Sequence, residues 1–297
     1  MKWLLGLDLR PLCLGAVRFA AWLARMSRAA DGESFAAVHV VEEQHLMAVL
    51  RYHHLEEVLE RARVSARGIV AAEAAAIGEP EIARAPSVEQ GLEAARASHQ
   101  SDAFLIGRAA GRAGSGVIRL GKVARRMLRS ASVPVVVVPP DLRAGHLGDG
   151  PVVALTSLQP DSADACRFAS KMAERLGRGL ALVHVAPGPG EFPVQLPAAT
   201  LDSLCREHRE QAEEEIAAWN SAQRLRASVT EVLQGPIVES ALEFAARQRS
   251  PLIVAGSRRL STLERTLLHS TGADLAASAP VPVAVVPPLE QAQGAAD

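Results

Sequence analysis

The sequence predicts an α/β protein with two tandem domains, each a doubly wound, Rossmann-like fold around a five-stranded, mainly parallel sheet. Short apolar runs alternate along the chain with longer stretches of helical period, which is the pattern of βαβ units. The chain of 297 residues also repeats itself once at a spacing of about 149 residues, far too long for a solenoid unit. Each copy is therefore predicted to be a domain, 1–140 and 151–289, and the glycine-rich, charged segment Asp141–Gly150 is predicted to link them.

The repeat rests on short matches that share nearly one spacing. Arg18–Ala21 recurs as Arg167–Ser170, and Leu9–Pro11 recurs as Leu158–Pro160, both 149 residues later. Both halves also end their last predicted strand with Pro-Pro. The other matches are Val38–Val40 with Val183–Val185, Ile106-Gly107 with Ala255-Gly256, and Val133–Val135 with Val281–Val283.

Each half contains five predicted strands, bounded by turn residues, and a long helix with apolar residues at steps of three and four. The strands of the first half lie near Trp3–Leu9, Ser34–Val41, Glu81–Ala85, Ala103–Gly107 and Val133–Val138. Those of the second half lie near Val152–Thr156, Leu180–Val185, Ala227–Leu233, Leu252–Gly256 and Val281–Val286. The helical stripes are Leu55, Leu59, Ala62, Ala66 and Ile69 in the first half and Leu201, Cys205, His208, Ala212, Ile216 and Trp219 in the second. In this fold class, ligands are expected at the carboxyl ends of strands, near the point where the strand order reverses.

The composition argues against nucleic acid as a partner. Lys and Arg number 32 against 33 Asp and Glu, so a net charge of −1 provides no field that attracts nucleic acid or an anionic membrane. Aromatic residues make up 3% of the chain, which is few for base stacking or a carbohydrate cleft. The cysteines Cys13, Cys166 and Cys205 lie far apart without a CxxC motif, which indicates a reducing compartment rather than disulfides or a zinc site.

The N-terminal run Lys2–Leu23 imitates a signal peptide only superficially. Asp8, Arg10 and Arg18 interrupt it, so a strand followed by a helix is the better interpretation. No other stretch reaches the roughly 18 uninterrupted apolar residues that a membrane span needs. We therefore expect a cytoplasmic protein without a membrane partner.

A glycine-rich loop is the candidate binding element of the first half. It follows a predicted strand, precedes a helix, and contains Gly107, Gly111, Gly114, Gly116 and Gly121 before Lys122. Glycine lets backbone N–H groups face an anion without an intervening side chain, and the start of the helix adds its positive end. Phosphate is the obvious anion, although such a loop alone is also compatible with a connection that binds nothing.

These residues and the domain-length repeat resemble the universal stress protein family. The opening Leu-Leu-Gly-Leu-Asp8, the Val-His-Val strand, the glycine loop and the closing Val-Pro-Val run carry the resemblance over nearly the whole chain, twice. Members that bind ATP have a loop of the form Gly, two residues, Gly, nine residues, Gly, then Ser or Thr, with an Asp near the nucleoside. The resemblance implies an ATP site, with or without Mg²⁺, at Asp8, Gly107, Gly111, Gly114, Gly121 and Lys122.

Two departures from that pattern occur in the first half. Three residues rather than two separate Gly107 from Gly111, and Lys122 stands where the family has Ser or Thr. The lysine either replaces the hydroxyl with a charge that attracts phosphate or fills the pocket.

The second half departs further from the nucleotide-binding pattern. Gly256-Ser257-Arg258-Arg259 is followed by nine residues and His269-Ser270, so Arg and His stand where glycine is expected, and Ser157 aligns with Asp8. We expect no nucleotide there and a structural role for this copy. Two interpretations of Arg258, Arg259 and His269 stay open. These residues either hold a small anionic ligand or form a solvated loop that binds nothing.

Other candidate residues favour structural roles. His39 and His184, flanked by valines, are predicted to be structural, and His53-His54 is predicted to lie on a solvated helix face, so no metal site is proposed. Cys13 is predicted to be buried at the start of the first helix. No GxSxG elbow, HExxH, Walker A or kinase motif is present, so the sequence makes no case for an enzyme, and slow ATP hydrolysis stays open.

The sequence therefore predicts an ATP-binding stress-response module that acts by binding rather than turnover, with a regulatory protein as a further partner. The alternative is a nucleotide-independent interaction or scaffold protein, in which both pockets are degenerate and the two domains form a pseudo-dimer. In the family, the last strand commonly pairs across a dimer interface, so a homodimer through the sheet edges at Val133–Val138 or Val281–Val286 is also predicted.

Overall fold

The chain forms two compact units in a computed structural model that describes residues 1–10, 13–108, 120–143, 145, 147–188, 197–257 and 270–288. The first unit comprises Met1–His146 together with Ala276–Pro282. The second unit comprises Leu147–Leu275 together with Val283–Asp297. No helix among the described residues is long and apolar enough to cross a membrane.

The described residues of the first unit form five parallel strands and six α-helices. Strands β1 to β5 are Lys2–Gly6, Ser34–Glu42, Glu81–Ala85, Ala103–Gly107 and Val135–Val138. Helices α1 to α6 are Leu14–Met26, Glu43–Val49, Leu55–Val70, Ala74–Ile77, Val88–His99 and Lys122–Ser130. The strand order is β3-β2-β1-β4-β5, with each neighbouring pair parallel. The chain therefore leaves β1 toward one edge and returns at β4 toward the other, which places the switch point between β1 and β4.

The second unit repeats this order. Strands β6 to β10 are Val152–Leu155, Leu180–Ala186, Val229–Gln234, Ile253–Gly256 and Val283–Val286. Helices α7 to α10 are Ala163–Leu176, Ala198–Ala222, Ile237–Arg247 and Thr271–Ser278. The last residues of α10, from Ala276 onward, belong to the first unit. The order β10-β9-β6-β7-β8, again parallel between neighbours, puts its switch point between β6 and β9.

The predicted fold class is confirmed, and the differences lie at the ends of elements. β1 ends at Gly6 rather than Leu9, so Asp8 lies two residues beyond the strand. The stripe on α3 is confirmed by its buried Ala62 and Ala66. On α8 the inclusion of His208 was wrong, because its side chain is exposed. A three-residue step turns it about 60° away from Cys205, to the margin of the buried face.

The cores are mainly aliphatic because the central strands are covered on both faces. Every residue of β5, β6 and β10 is buried, as are most of β1, β4, β7 and β9. Parallel strands in this position are near-continuous apolar runs rather than alternating ones. The largest fully buried side chains include Trp3, Phe19 and Phe104 in the first unit and Phe244 and Met172 in the second.

Two glycines of the predicted linker lie against backbone in the second unit. A Cβ on Gly148 would lie 1.7 Å from the carbonyl oxygen of Arg249, and one on Gly150 would lie 1.8 Å from that of Gln248. The Gly150 N–H also donates to the Arg249 carbonyl at 3.1 Å. This part of the segment is therefore closely packed on the residues that follow α9.

Gly15 makes a similar close approach inside the first unit, and we predict that Gly15→Ala destabilises the protein. A Cβ there would lie 1.9 Å from the carbonyl oxygen of Pro139 in the buried turn after β5. The resulting overpacking should lower the free energy of unfolding by about 1–3 kcal/mol in urea titrations.

Gly68→Ala is the matched control, because Gly68 is also helical but has no heavy atom within 4 Å of the added Cβ. That change should stabilise α3 by about 1 kcal/mol through helix propensity. Equal effects of the two substitutions would contradict the close contact at Gly15.

Candidate functional site

A cavity of about 310 Å³ opens at the carboxyl ends of β1 and β4 in the first unit, beside their switch point. We call it the first cavity. Its walls are aliphatic, and its polar groups are concentrated where strands end and α6 begins. The polar and glycine residues that line it are Gly6, Asp8, Arg10, His39, Glu42, Gly107, Arg108, Gly121 and Lys122.

Asp8 is held by a neighbouring arginine. The Nε of Arg10 donates to both carboxylate oxygens of Asp8 at 2.8 Å, and Nη2 adds a further contact to Oδ2. The hydrogen bonds to Asp8 raise the pKa of Arg10 above its usual value. Both side chains are partly exposed, so this pair is weak, and a ligand group can compete for the carboxylate.

The start of α6 also lines the first cavity. Gly121 is the N-cap residue, Lys122 is the first helical residue, and no side chain caps the first turn. The first turn also contains no acidic residue. Free N–H groups at a helix start, next to an exposed lysine, favour an anion at this end of the cavity.

Arg108 adds a buried cation that the sequence interpretation missed. It follows Gly107 directly, is 7% exposed, and lines the first cavity. Its Nη1 donates to the carbonyl oxygens of Ala276 and Ala279 within the same unit, at 3.4 and 3.0 Å. Burial lowers the pKa of Arg108, and nearby Asp141 partly offsets that effect.

His39 and Cys13 also line the first cavity. The Nδ1 of His39 lies 2.9 Å from the carbonyl oxygen of Leu7, so the histidine has the structural bond that was predicted, yet its ring also faces the site. Cys13 is buried as predicted, and burial raises its pKa to about 11. A buried, neutral thiol is a wall of the cavity rather than a nucleophile.

Four of the six predicted nucleotide-binding residues meet at the first cavity. Asp8, Gly107, Gly121 and Lys122 line it together. Gly111 and Gly114 lie outside the described residues. Arg10 and Arg108 were not predicted, since nothing in the local sequence shows that residues 98 positions apart face one cavity.

The second unit has a cavity of about 420 Å³ at the equivalent place, which we call the second cavity. α10 begins at Thr271, and the N–H of Asp274 bonds to the Ser270 carbonyl just as that of Arg125 bonds to Gly121. Ser270 and Thr271, rather than His269 and Ser270, are therefore the counterparts of Gly121 and Lys122. The predicted anion ligands Arg258, Arg259 and His269 lie outside the described residues.

A parallel α/β domain with a cavity at its switch point is a fold that binds small molecules. The sequence profile of the universal stress protein family matches residues 1–139 and 150–287. The chain belongs to this family and carries two copies of its domain. No curated protein sequence matches the chain.

Solved structures with the same fold cover almost the whole chain. A functionally unknown protein from Pseudomonas aeruginosa PAO1 is 13% identical with a TM-score of 0.63, over 97% of this chain and 92% of that one. A putative universal stress protein from Pseudomonas aeruginosa UCBPP-PA14 is 14% identical with a TM-score of 0.61, over 97% and 93%. A universal stress protein from Archaeoglobus fulgidus DSM 4304 is 19% identical with a TM-score of 0.56, over 96% and 98%. At these identities the likeness concerns the fold.

The raised pKa of Cys13 predicts slow alkylation by iodoacetamide. Its ordinary value is 9.0 and its folded value about 11, so at pH 8 the folded protein has about 100-fold less Cys13 thiolate than the unfolded chain. Peptide-resolved mass spectrometry should show a rate that still rises between pH 9 and pH 11 in the folded state. The urea-unfolded protein is the control, and equal rates in the two states at pH 8 would contradict this assignment.

Proposed function

We propose that the first domain binds an adenine nucleotide, ATP, in the first cavity, and that the protein acts as a nucleotide-responsive module of the stress response. Binding rather than turnover is the proposed activity, because the described lining residues include no nucleophile paired with a base. Asp8 contacts the nucleoside, and Gly107, Gly111, Gly114 and Gly121 present backbone N–H groups to the phosphates. Lys122 adds a charge at the start of α6.

One observation carries this proposal: a carboxylate and an uncapped helix start line the same cavity of about 310 Å³. A nucleotide carries groups that suit both, hydroxyls for a carboxylate and phosphates for free N–H groups and cations. The cavity also has aliphatic lining residues, including Val40, Val88 and Leu92, which provide apolar surface for a base. Calorimetry with and without Mg²⁺ decides whether the metal accompanies the nucleotide.

We predict that Asp8→Ala and Lys122→Ala each weaken ATP binding to the full chain. Loss of the carboxylate removes a charge-assisted hydrogen bond and should raise Kd by about tenfold or more. Loss of the exposed lysine should raise Kd by a few-fold, and more for ATP than for adenosine. Isothermal titration calorimetry should give one ATP per chain.

Arg125→Ala is the matched control for Lys122→Ala, because Arg125 is an exposed cation on the same helix that does not line the first cavity. It should leave the Kd unchanged within about twofold, since Arg125 lies one turn further from the helix start and does not line the cavity. Wild-type protein that binds no ATP, or the same loss in Arg125→Ala and Lys122→Ala, would reject the proposal.

The second candidate function is a nucleotide-independent interaction protein. The ion pair between Arg10 and Asp8 favours it, because the carboxylate assigned to the nucleoside already has a partner. A homodimer and a regulatory protein partner belong to both candidates and stay predictions. The mass of the protein in solution tests the homodimer, and a strict monomer would exclude it.

Arg10→Gln separates the two candidates. If Asp8 contacts a nucleoside, freeing its carboxylate should tighten adenosine binding by up to about fivefold, because an exposed ion pair contributes at most about 1 kcal/mol. Adenosine is the suitable probe, since it has no phosphate that Arg10 could attract. The readout is hydrogen–deuterium exchange of peptides from the ends of β2 and β4, which report the first cavity alone. Adenosine protection of these peptides that is absent or equal in both proteins would favour the nucleotide-independent function.

A further inference from the structure

The second cavity lacks the charges of the first. Among its described lining residues, Asp161 is the single carboxylate and no Lys or Arg is present. Its Oδ1 accepts a 2.8 Å hydrogen bond from the Ser157 hydroxyl. Hydroxyls replace three of the five charged residues of the first cavity, each 149 residues later: Ser157 for Asp8, Ser257 for Arg108 and Thr271 for Lys122. The described part of this cavity therefore offers an anion no cation in exchange for its lost hydration. The start of α10 also differs from that of α6, because the Ser270 hydroxyl already accepts a hydrogen bond from the Ala273 N–H at 3.2 Å.

His184 presents one fixed hydrogen-bonding atom to this cavity. Its Nδ1 lies 3.0 Å from the carbonyl oxygen of Thr156. A carbonyl oxygen can only accept, so the proton of the neutral ring is on Nδ1, and Nε2 is an acceptor. Nε2 has no partner among the described residues.

Two hydroxyls complete the polar side of the second cavity. The side chains of Ser257 and Thr271 are half-buried and have no hydrogen-bond partner among the described residues. The hydroxyls of Thr156 and Ser162, by contrast, bond to each other at 3.0 Å. Ser257 and Thr271 can therefore each donate to, or accept from, a bound molecule.

The remaining wall is apolar and free of aromatic rings. Leu155, Val183 and Ala255 are buried strand residues, and Ile237 lies at the start of α9. This wall suits the flat or compact apolar body of a ligand whose polar groups lie along one edge. The larger volume, about 420 Å³, is enough for a molecule of nucleoside size.

We propose that the second cavity is a separate binding site for an uncharged ligand with an apolar body and hydrogen-bond donors and hydroxyls along one edge. Nε2 of His184 accepts from a donor of that ligand, and Ser257 and Thr271 bond to its hydroxyls. This site is independent of ATP binding in the first domain. The two domains of one chain thus select ligands by charge, an anion in the first and a neutral molecule in the second.

The test uses the full chain and two probes, adenosine and AMP, which share an apolar ring and ribose hydroxyls and differ in the phosphate. Hydrogen–deuterium exchange with peptide resolution reports the two domains separately. Adenosine should protect peptides that contain the ends of β7 and β9 more than AMP does at the same concentration. Peptides from the ends of β2 and β4 report the first cavity, so failure of ATP binding there does not affect this result.

His184→Asn removes the proposed contact of Nε2 with the ligand but keeps a donor for the structural hydrogen bond to the Thr156 carbonyl. The Asn amide nitrogen can replace Nδ1 as donor to the Thr156 carbonyl, while the acceptor Nε2 is lost. We expect an unchanged melting temperature and about tenfold weaker adenosine binding in the second domain, as one lost hydrogen bond would give. His39→Asn is the matched control, because it makes the same change in the first cavity and should leave the second unaffected.

Ser257→Arg provides a second variant that does not depend on His184. Placing a cation at the position of Arg108 should shift the preference of the second domain toward AMP by several-fold. Three results would overturn the proposal: stronger protection by AMP than by adenosine in the wild-type second domain, no protection there by adenosine, or unchanged adenosine binding in His184→Asn. The first of these would instead support an anionic ligand held by Arg258, Arg259 and His269.

Discussion

Burial of the central parallel strands on both faces is the constraint on which the rest of the structure depends. Residues along β1, β4, β6 and β9 are apolar because no water reaches either side of them. Polar groups are therefore confined to the positions where strands end. Since all strands of a parallel sheet end at the same edge, the chemistry of each domain is gathered there, beside the point where the strand order reverses.

The duplication shows which properties of such a site belong to the backbone and which to the side chains. Both domains place a cavity at the switch point and start a helix at its rim, at Lys122 and at Thr271. Their side chains differ, because Asp8, Arg108 and Lys122 of the first cavity correspond to Ser157, Ser257 and Thr271 in the second. The same backbone arrangement therefore carries side chains of different charge in the two domains.

The paired histidines make the same structural hydrogen bond in the two domains. His39 and His184 bond to the backbone carbonyl that follows β1 and β6, at 2.9 and 3.0 Å. With that bond, the proton of a neutral ring is on Nδ1 and the other nitrogen is an acceptor. A ring that the backbone already holds loses little entropy when a partner binds to it.

The sequence by itself determined the fold class and the repeat. Buried strands and amphipathic helices each give a characteristic spacing of apolar residues, which can be read from a short segment of the chain without knowledge of the rest. It also placed Asp8, Gly107, Gly121 and Lys122 in one site through a family resemblance. Only the tertiary structure decided that Arg10 forms an ion pair with Asp8, that Arg108 lines the first cavity, and that hydroxyls line the second. The geometry of these side-chain contacts depends on where strands end and helices begin. β1 ends at Gly6 rather than Leu9, and such a shift changes the side-chain contacts but leaves the hydrophobic pattern of the sequence the same.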